Sequence, residues 1–431
     1  MRPLKVSLFC FQWEKNIEFL KLIVVVLQHF MSKQVFVIDA VRTAIGKYAG
    51  TLAGVRPDDM AAHVIKALIE RNPGLPFDQT EEVILGAANQ AGEDNRNVAR
   101  MALLLAGLPT TVGGYTVNRL CASGLQAIAN ASMEIQAGNG DFYIAGGVES
   151  MTRAPFVMAK SESAFGRTPE IHDTTIGWRF TNPALSALYH PYTMGETAEN
   201  VAERWQISRE EQDAFAYNSQ LKWQEANTAG KFNNEIAALN IPGKKGAVLV
   251  FDKDEQPRLS DIEVLSGLKP AFKKGGSVTA GNSSSVNDGA SALAIASDNF
   301  IQANKLQPKA RIVASAASGV DPSIMGIGPV DAVKKAIKRA GLSINDIGLF
   351  ELNEAFASQS IACIRELGID PSIVNVNGGA IAIGHPLGCS GARISTTLIH
   401  EMQKRPTVKY GVATMCIGVG QGLAVVYENM V

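Results

Sequence analysis

In Val117-Asn118-Arg119-Leu120-Cys121-Ala122-Ser123-Gly124-Leu125 a strand gives way to a helix across a turn that carries a cysteine. The apolar residues 115–117 end the strand, and residues 124–129 open an alanine-rich helix reaching about Gln136. A cysteine at such a turn faces the unpaired N–H groups and positive end of the helix dipole. That setting favours the thiolate, lowers the thiol pKa and makes the sulfur a nucleophile near neutral pH. The competing reading is a buried packing cysteine, the usual fate of a free thiol.

Strands and helices alternate on both sides of that turn. Upstream, residues 35–40 read as a strand, 60–71 as a helix capped by Asp58-Asp59, 82–87 as a strand and 98–106 as a helix. Downstream, 141–147 is a buried strand ending in glycines. The pattern implies a parallel sheet with helices on its faces. It breaks at 151–286. Residues 153–193 are irregular and rich in Arg, Pro and aromatics, 196–205 and 208–229 are helical, and 244–269 are polar and turn-rich. Ser208-Arg209-Glu210-Glu211 has the form of a capping box. An insertion of this length between α/β halves is usually a lid or substrate-binding domain.

Alternation then resumes. Residues 310–317 and 347–352 read as strands, 330–340 and 390–402 as helices, and 410–415 and 422–427 as a final strand pair. Strand, turn, long helix and a glycine-ended strand describe 115–147 and again 374–420. This is a weak internal repeat, and it points to two similar halves.

Composition adds bounds. The 431 residues allow two or three domains, or one large duplicated one, and 46% apolar with 19% charged residues is an ordinary globular balance. A formal charge of -1 gives no reason to expect nucleic acid or a membrane surface as partner. Five scattered cysteines without a CxxC pair indicate neither a zinc site nor a disulfide framework. They fit a reducing, cytoplasmic setting. No metal, flavin or nicotinamide site is visible. Cys363 and Cys389 read as core. Residues 1–30 look foreign to the rest: their apolar runs lack a cleavage site and are too short to span a bilayer. Met31 is the expected start, and a mature N-terminus at Met1 in the native host would refute that.

Four turns stand at predicted strand ends: Asn118-Arg119-Leu120-Cys121, Asn353-Glu354-Ala355-Phe356, Gly384-His385-Pro386-Leu387-Gly388 and Cys416-Ile417-Gly418. Sites form at the carboxyl ends of parallel strands. Two thiols, an imidazole and an amide make a working set for thioester chemistry.

These motifs, with Gly378-Gly379-Ala380-Ile381-Ala382-Ile383-Gly384 and Val419-Gly420-Gln421-Gly422, resemble the signatures of the thiolases from Met31 to the end of the chain. The runs 91–97 and 173–180 further resemble the 3-oxoadipyl-CoA thiolases of aromatic-compound degradation. The resemblance implies an α/β thiolase fold: two similar βαβαβαββ halves in αβαβα layers, with an inserted lid. The expected divisions are a doubtful extension 1–30, a first half 31–152 plus 287–306, an inserted domain 153–286 and a second half 307–431.

It also implies roles. Cys121 becomes acylated and His385 takes its proton. His385 and a water on Asn353 stabilise the departing enolate. Cys416 protonates that enolate and later activates coenzyme A. The N–H groups of Cys121 and Gly418 hold the acyl carbonyl. The implied reaction is ping-pong cleavage of 3-oxoadipyl-CoA to succinyl-CoA and acetyl-CoA. Coenzyme A is the cosubstrate, no cofactor is tightly bound, and the assembly is a homodimer or homotetramer. Ser284 is expected on the pantetheine channel, Met194 on the acyl group and Arg258 near the adenine. Ser285 departs from the usual glycine of the family. Thr193 replaces the histidine typical of acetoacetyl-CoA thiolases, which argues against that subgroup. A terminal substrate carboxylate needs a cation, and Arg179 is favoured over Arg153 and Arg167. The alternatives are a general acetyltransferase acting on acetoacetyl-CoA or another 3-oxoacyl-CoA, a decarboxylating ketoacyl synthase, and a non-catalytic lipid carrier.

Overall fold

The computed structural model describes residues 33–243 and 246–431. The extension 1–30, with Cys10 and the expected start at Met31, lies outside the described residues, as does Lys244. In the first half, strands β1 (Val35–Arg42), β2 (Glu82–Gly86), β3 (Gly113–Val117) and β4 (Phe142–Ser150) alternate with helices α1 (Pro57–Arg71), α2 (Val98–Leu105) and α3 (Ser123–Ala137). Helix α1 begins earlier than expected. Pro57 fits the first helical position, whose N–H has no partner in any residue. Asp58 and Asp59 therefore lie inside the first turn, where the dipole favours their charge, and do not cap it. Between β4 and β5 (Asn287–Ser297) comes the insertion with α4 (Met194–Arg204) and α5 (Arg209–Thr228), the latter opened by the Ser208–Glu211 capping box. The second half holds β6 (Ala310–Gly319), α6 (Gly328–Arg339), β7 (Ile347–Leu352), α7 (Ala357–Leu367), α8 (Leu387–Gln403), β8 (Tyr410–Ile417) and β9 (Gln421–Asn429).

Nine strands run in the order β7-β8-β9-β6-β1-β5-β4-β2-β3, and the short strand Gly46–Lys47 pairs with β5. The seam between halves is short: Val35, Phe36 and Val37 pair antiparallel with Ile312, Arg311 and Ala310. Outward from that seam each half repeats one order, β1-β5-β4-β2-β3 against β6-β9-β8-β7. The sheet is mixed and not parallel throughout. Only β4–β2, β2–β3 and β7–β8 are parallel pairs, because β5 and β9 return antiparallel beside β4 and β8.

The expected counterpart of β3 at 374 is a single bridge, Val374 to Phe350. The cause is Asn375. Its side-chain amide accepts from the Leu352 N–H and donates to the Leu352 carbonyl, both at 2.8 Å. A side chain thus takes the ladder positions that main chain would occupy, and the backbone turns away with Asn375 at φ 45°.

Alternation along the strands sorts the core into layers. Val83 and Leu85 of β2 join a cluster with Ile65 and Leu68 of α1 and Val98 and Leu103 of α2. Ile84 faces the other way, into a cluster with Leu125 and Ile128 of α3 and Ile394 and Leu398 of α8. Leu349, Met415 and Val425 of the second half reach that same cluster. Val333 of α6 and Ile364 of α7 cover the far side. The result is five layers, αβαβα, with α3 and α8 in the middle. The insertion is anchored by buried Arg42, which pairs with Glu235 (2.6 Å) and Asp254 (2.7 Å). No helix among the described residues is long and apolar enough to cross a membrane.

Candidate active site

Two helix N-termini meet in the middle layer. A Cβ on Gly147 of β4 would stand 2.0 Å from the Gly388 carbonyl oxygen of α8, and one on Gly124 of α3 would stand 2.6 Å from it. Only glycine lets three backbones approach this closely. The turns in front of the two helices carry Cys121 and His385.

Side chains hold the Cys121 turn in place. Asn118 Oδ1 accepts the Leu120 N–H (2.8 Å). Ser123 Oγ accepts the Arg119 N–H (2.9 Å) and donates to the Leu120 carbonyl (2.6 Å). Leu120 sits at φ 47°, a left-handed conformation that costs a residue with a side chain about 1 kcal/mol. Arg119 Nη1 donates to Gln421 Oε1 (3.0 Å), which ties this turn to the one after β8. Val419 is also left-handed there, at φ 64°. Cys416 lies near the end of β8, and Gly418 opens the turn. The backbone amides of Gly418 and of Cys121 itself lie on the side of the Cys121 sulfur where they favour its charged form.

His385 is held at both ends. Its N–H donates to Asn287 Oδ1 (3.0 Å), and Nδ1 lies 2.6 Å from Ser390 Oγ. Ser390 has one hydroxyl proton and donates it to the Pro386 carbonyl (2.9 Å). The proton of the short contact is therefore assigned to Nδ1, which leaves Nε2 with its lone pair. Asn353 Nδ2 is 3.5 Å from Nδ1 and 3.4 Å from Nε2. Such equal distances put the amide off both lone-pair axes. Asn353 Oδ1 is buried without a protein partner.

Electrostatics overturn one expectation. Burial pushes the Cys121 thiol up to about 11, and the two backbone amides only partly oppose this. Burial, aided by the Arg393 guanidinium, pulls His385 down to about 3. Burial also lifts the Cys416 thiol well above its ordinary value, and neighbouring Cys121 adds to the lift. The resting pair near neutral pH is thus a thiol and a neutral imidazole. Cys121 stands two residues before Ser123, the first residue of α3, so desolvation outweighs the helix terminus.

A cavity of about 400 Å³ opens over these groups. Cys121, His385, Cys416 and Gly418 line it together with Ser284, Met194 and Arg179. Asn353 lies behind His385. Arg258 is exposed and outside the cavity, its N–H on Gln220 Oε1 (2.9 Å). Ser283 and Ser285 spend their hydroxyls on the Thr279 carbonyl and Asn287 Oδ1, both at 2.7 Å, whereas the Ser284 hydroxyl has no partner among the described residues. Thr193 caps α4, exchanging bonds with Glu196, so its hydroxyl is engaged at the helix end. Among the three arginines of the lid region, Arg153 is bound to Glu93 and Arg167 is exposed away from the cavity. Arg179 lines the cavity and forms no hydrogen bond or ion pair among the described residues.

Three residues escaped sequence reasoning. Ser390 and Asn287 fix His385. Glu149, buried at the end of β4, accepts from the N–H groups of Ala88 (2.9 Å), Asn89 (3.0 Å) and Gly388 (2.7 Å). It thereby caps the helix that follows His385. A carboxylate directly after the apolar run Gly146-Gly147-Val148 was the available signal for it.

The model of the thiolase N-terminal domain matches residues 35–299, and that of the thiolase C-terminal domain matches 306–429. The chain is 55% identical over 403 residues, 93% of its length, to the whole of the beta-ketoadipyl-CoA thiolase of Pseudomonas aeruginosa. It is 53% identical over 401 residues, 92% of its length, to the whole of the 3-oxoadipyl-CoA/3-oxo-5,6-dehydrosuberyl-CoA thiolase of Escherichia coli K12. The crystal structure of the Bacillus anthracis acetyl-CoA acetyltransferase superposes with a TM-score of 0.86 at 42% identity, covering 92% of this chain and 99% of that one.

Proposed function

The chain belongs to the thiolase family of acyltransferases, and from that premise we propose that it cleaves 3-oxoadipyl-CoA with coenzyme A to succinyl-CoA and acetyl-CoA. Names of relatives more than half identical over nearly the whole chain support the substrate. The roles rest on one observation: Cys121, His385, Cys416 and Gly418 line a single cavity.

His385 Nε2 takes the Cys121 proton as the sulfur attacks the keto carbon. A neutral imidazole is the right form for that step, and the neutral thiol needs it. The bond between the keto carbon and its neighbour breaks, and its electron pair leaves as the acetyl-CoA enolate. Protonated His385 donates to the enolate oxygen together with a water on Asn353, whose unpaired Oδ1 suits a water donor. Cys416 gives its proton to the enolate carbon. The succinyl group stays on Cys121, its carbonyl oxygen on the N–H groups of Cys121 and Gly418. The Cys416 thiolate then takes the proton of incoming coenzyme A, whose sulfur attacks the acyl carbon. Cys121 leaves and recovers its proton from His385.

Coenzyme A is the cosubstrate, and the reaction calls on no other group. Ser284 offers its free hydroxyl to the pantetheine, and Arg258 meets the adenine end at the surface. Met194 packs on the acyl group, and Arg179 takes the terminal carboxylate. A reducing cytoplasm suits the free thiols Cys121, Cys363, Cys389 and Cys416. Large apolar side chains exposed on the lid, Phe156, Phe165, Ile171 and Leu188 among them, favour a homodimer or homotetramer. A monomer by light scattering at micromolar concentration would contradict that.

The test is thiolysis by purified protein, comparing kcat/KM for 3-oxoadipyl-CoA and acetoacetyl-CoA. A preference for the former, about tenfold or more, is expected. A preference for acetoacetyl-CoA would keep the mechanism and make the enzyme a general acetyltransferase. Cleavage of neither would overturn the assignment of Cys121.

A further inference from the structure

The lid segment that brings Arg179 to the cavity pairs with residues 156–158 through residues 171–173, the Thr174 N–H reaches the Pro155 carbonyl (3.3 Å), and side chains fasten it at two further points. At Trp178 the fastening is exposed: the indole N–H donates to the Tyr192 carbonyl (2.8 Å). At Thr174 it is buried. Asn89 Nδ2 donates to Thr174 Oγ1 (2.8 Å) and lies 3.3 Å from the Thr174 carbonyl, and Thr174 Oγ1 donates to the Pro155 carbonyl (2.6 Å). Asn89 is 8% exposed and Thr174 3%. Both line the cavity.

Asn89 is itself fixed to the reacting end. Its backbone N–H is on Glu149, whose carboxylate also holds the Gly388 N–H at the start of the His385 helix. Its Oδ1 accepts the Ala91 N–H (3.2 Å). The amide therefore has no spare donor for substrate. It has the connections of a clasp, with the His385 helix on one side and the lid on the other.

We propose that Asn89 is a positioning residue for acyl-chain specificity: by holding Thr174 it sets Arg179 over the acyl end of the cavity. The inference rests on the reading of Arg179 as partner of the substrate carboxylate. A short acyl chain without a carboxylate has nothing for Arg179 to pair with, so the clasp acts on the ratio of two substrates and not on the chemistry. Leucine at 89 keeps the bulk and removes the donor. Thr174→Val removes the hydroxyl on the other side and serves as an independent variant.

The experiment measures kcat and KM on 3-oxoadipyl-CoA and acetoacetyl-CoA for the wild type, Asn89→Leu, Thr174→Val, Arg179→Ala and the double variant Asn89→Leu/Arg179→Ala. Asn89→Leu is expected to raise KM for 3-oxoadipyl-CoA about fivefold, no more than Arg179→Ala does, because it acts through that residue. KM for acetoacetyl-CoA should move by less than about threefold, which also reports a folded enzyme. Thr174→Val should follow the same pattern. In the double variant the two effects should not multiply, because a misplaced Arg179 has little left to lose. A wild type without preference for 3-oxoadipyl-CoA would sink the substrate reading and the clasp with it. A wild type with that preference, and Asn89 and Thr174 variants that lose equally on both substrates, would overturn the clasp alone. So would effects of Asn89→Leu and Arg179→Ala that multiply in full.

Discussion

The two ends of the cavity are built in opposite ways. The reacting end stands on strand termini and two helix N-termini pressed together at Gly147, Gly124 and Gly388, with His385, Asn353 and Cys416 buried and Cys121 half-buried at the cavity. The lid end is a loop with exposed apolar side chains, fastened by a few hydrogen bonds and carrying an arginine that no described protein group holds. Bond-making needs groups that do not move; discrimination between acyl chains is left to a segment that can differ without disturbing them.

The largest expected effect breaks the reacting end outright. Cys121→Ala should lower kcat by at least about four orders of magnitude on both substrates, and no acyl-enzyme mass should be trapped by rapid quench. Equal loss on both substrates marks this end as common machinery; residual turnover within about tenfold of wild type would remove Cys121 from the mechanism. Next comes the frame itself. Gly147→Ala puts a methyl 2.0 Å from a main-chain oxygen, so a backbone must move. A loss of about 3 kcal/mol is expected in denaturant unfolding, with a lower kcat on both substrates. A change confined to one substrate would mean that the two ends are not separate.

The pH profile probes the same end more gently. His385 is held down to about 3 and so remains a neutral base as pH falls from 8 to 5. Its protonation, which stops the reaction, begins only well below that range. Glu149, lifted to about 7 by burial, is the group beside the cavity whose protonation falls inside it. An acid limb of kcat/KM near 7 should therefore vanish in Glu149→Gln. A limb near 6.5 that survives in that variant would return His385 to an ordinary pKa. The smallest effect belongs to the lid. Arg179→Ala should raise KM for 3-oxoadipyl-CoA about fivefold to tenfold and leave KM for acetoacetyl-CoA nearly unmoved. Equal shifts would dissolve the distinction between the ends.

The same contrast explains how much of the molecule is legible in its amino-acid sequence. Cys121, Asn353 and His385 are legible because each sits in a short turn at a strand end or ahead of a helix, and Cys416 because it stands at the end of a strand before a glycine turn, places where a reactive side chain has few structural uses. The layered fold is legible through alternation and the weak repeat. Ser390, Asn287 and Glu149 are not, since they act through contacts of the folded chain that no local pattern records. Asn375 defeats the strand expected at 374 because a side chain imitating main chain has no periodic signature. The direction of the Cys121 pKa is misread for a similar reason: a helix terminus is visible in a sequence, but the burial that outweighs it is a property of the packed whole.

The shared middle layer also bears on how this protein can change. Helix α8 belongs by sequence to the second half, yet its first turn lies against β4 and α3 of the first. Neither half can bury its inner face alone, so unfolding should be one cooperative event. If the halves descend from one duplicated ancestor, their divergence has been coupled: a substitution on the inner face of α3 changes what α8 packs against. Each half has become the other's selective environment.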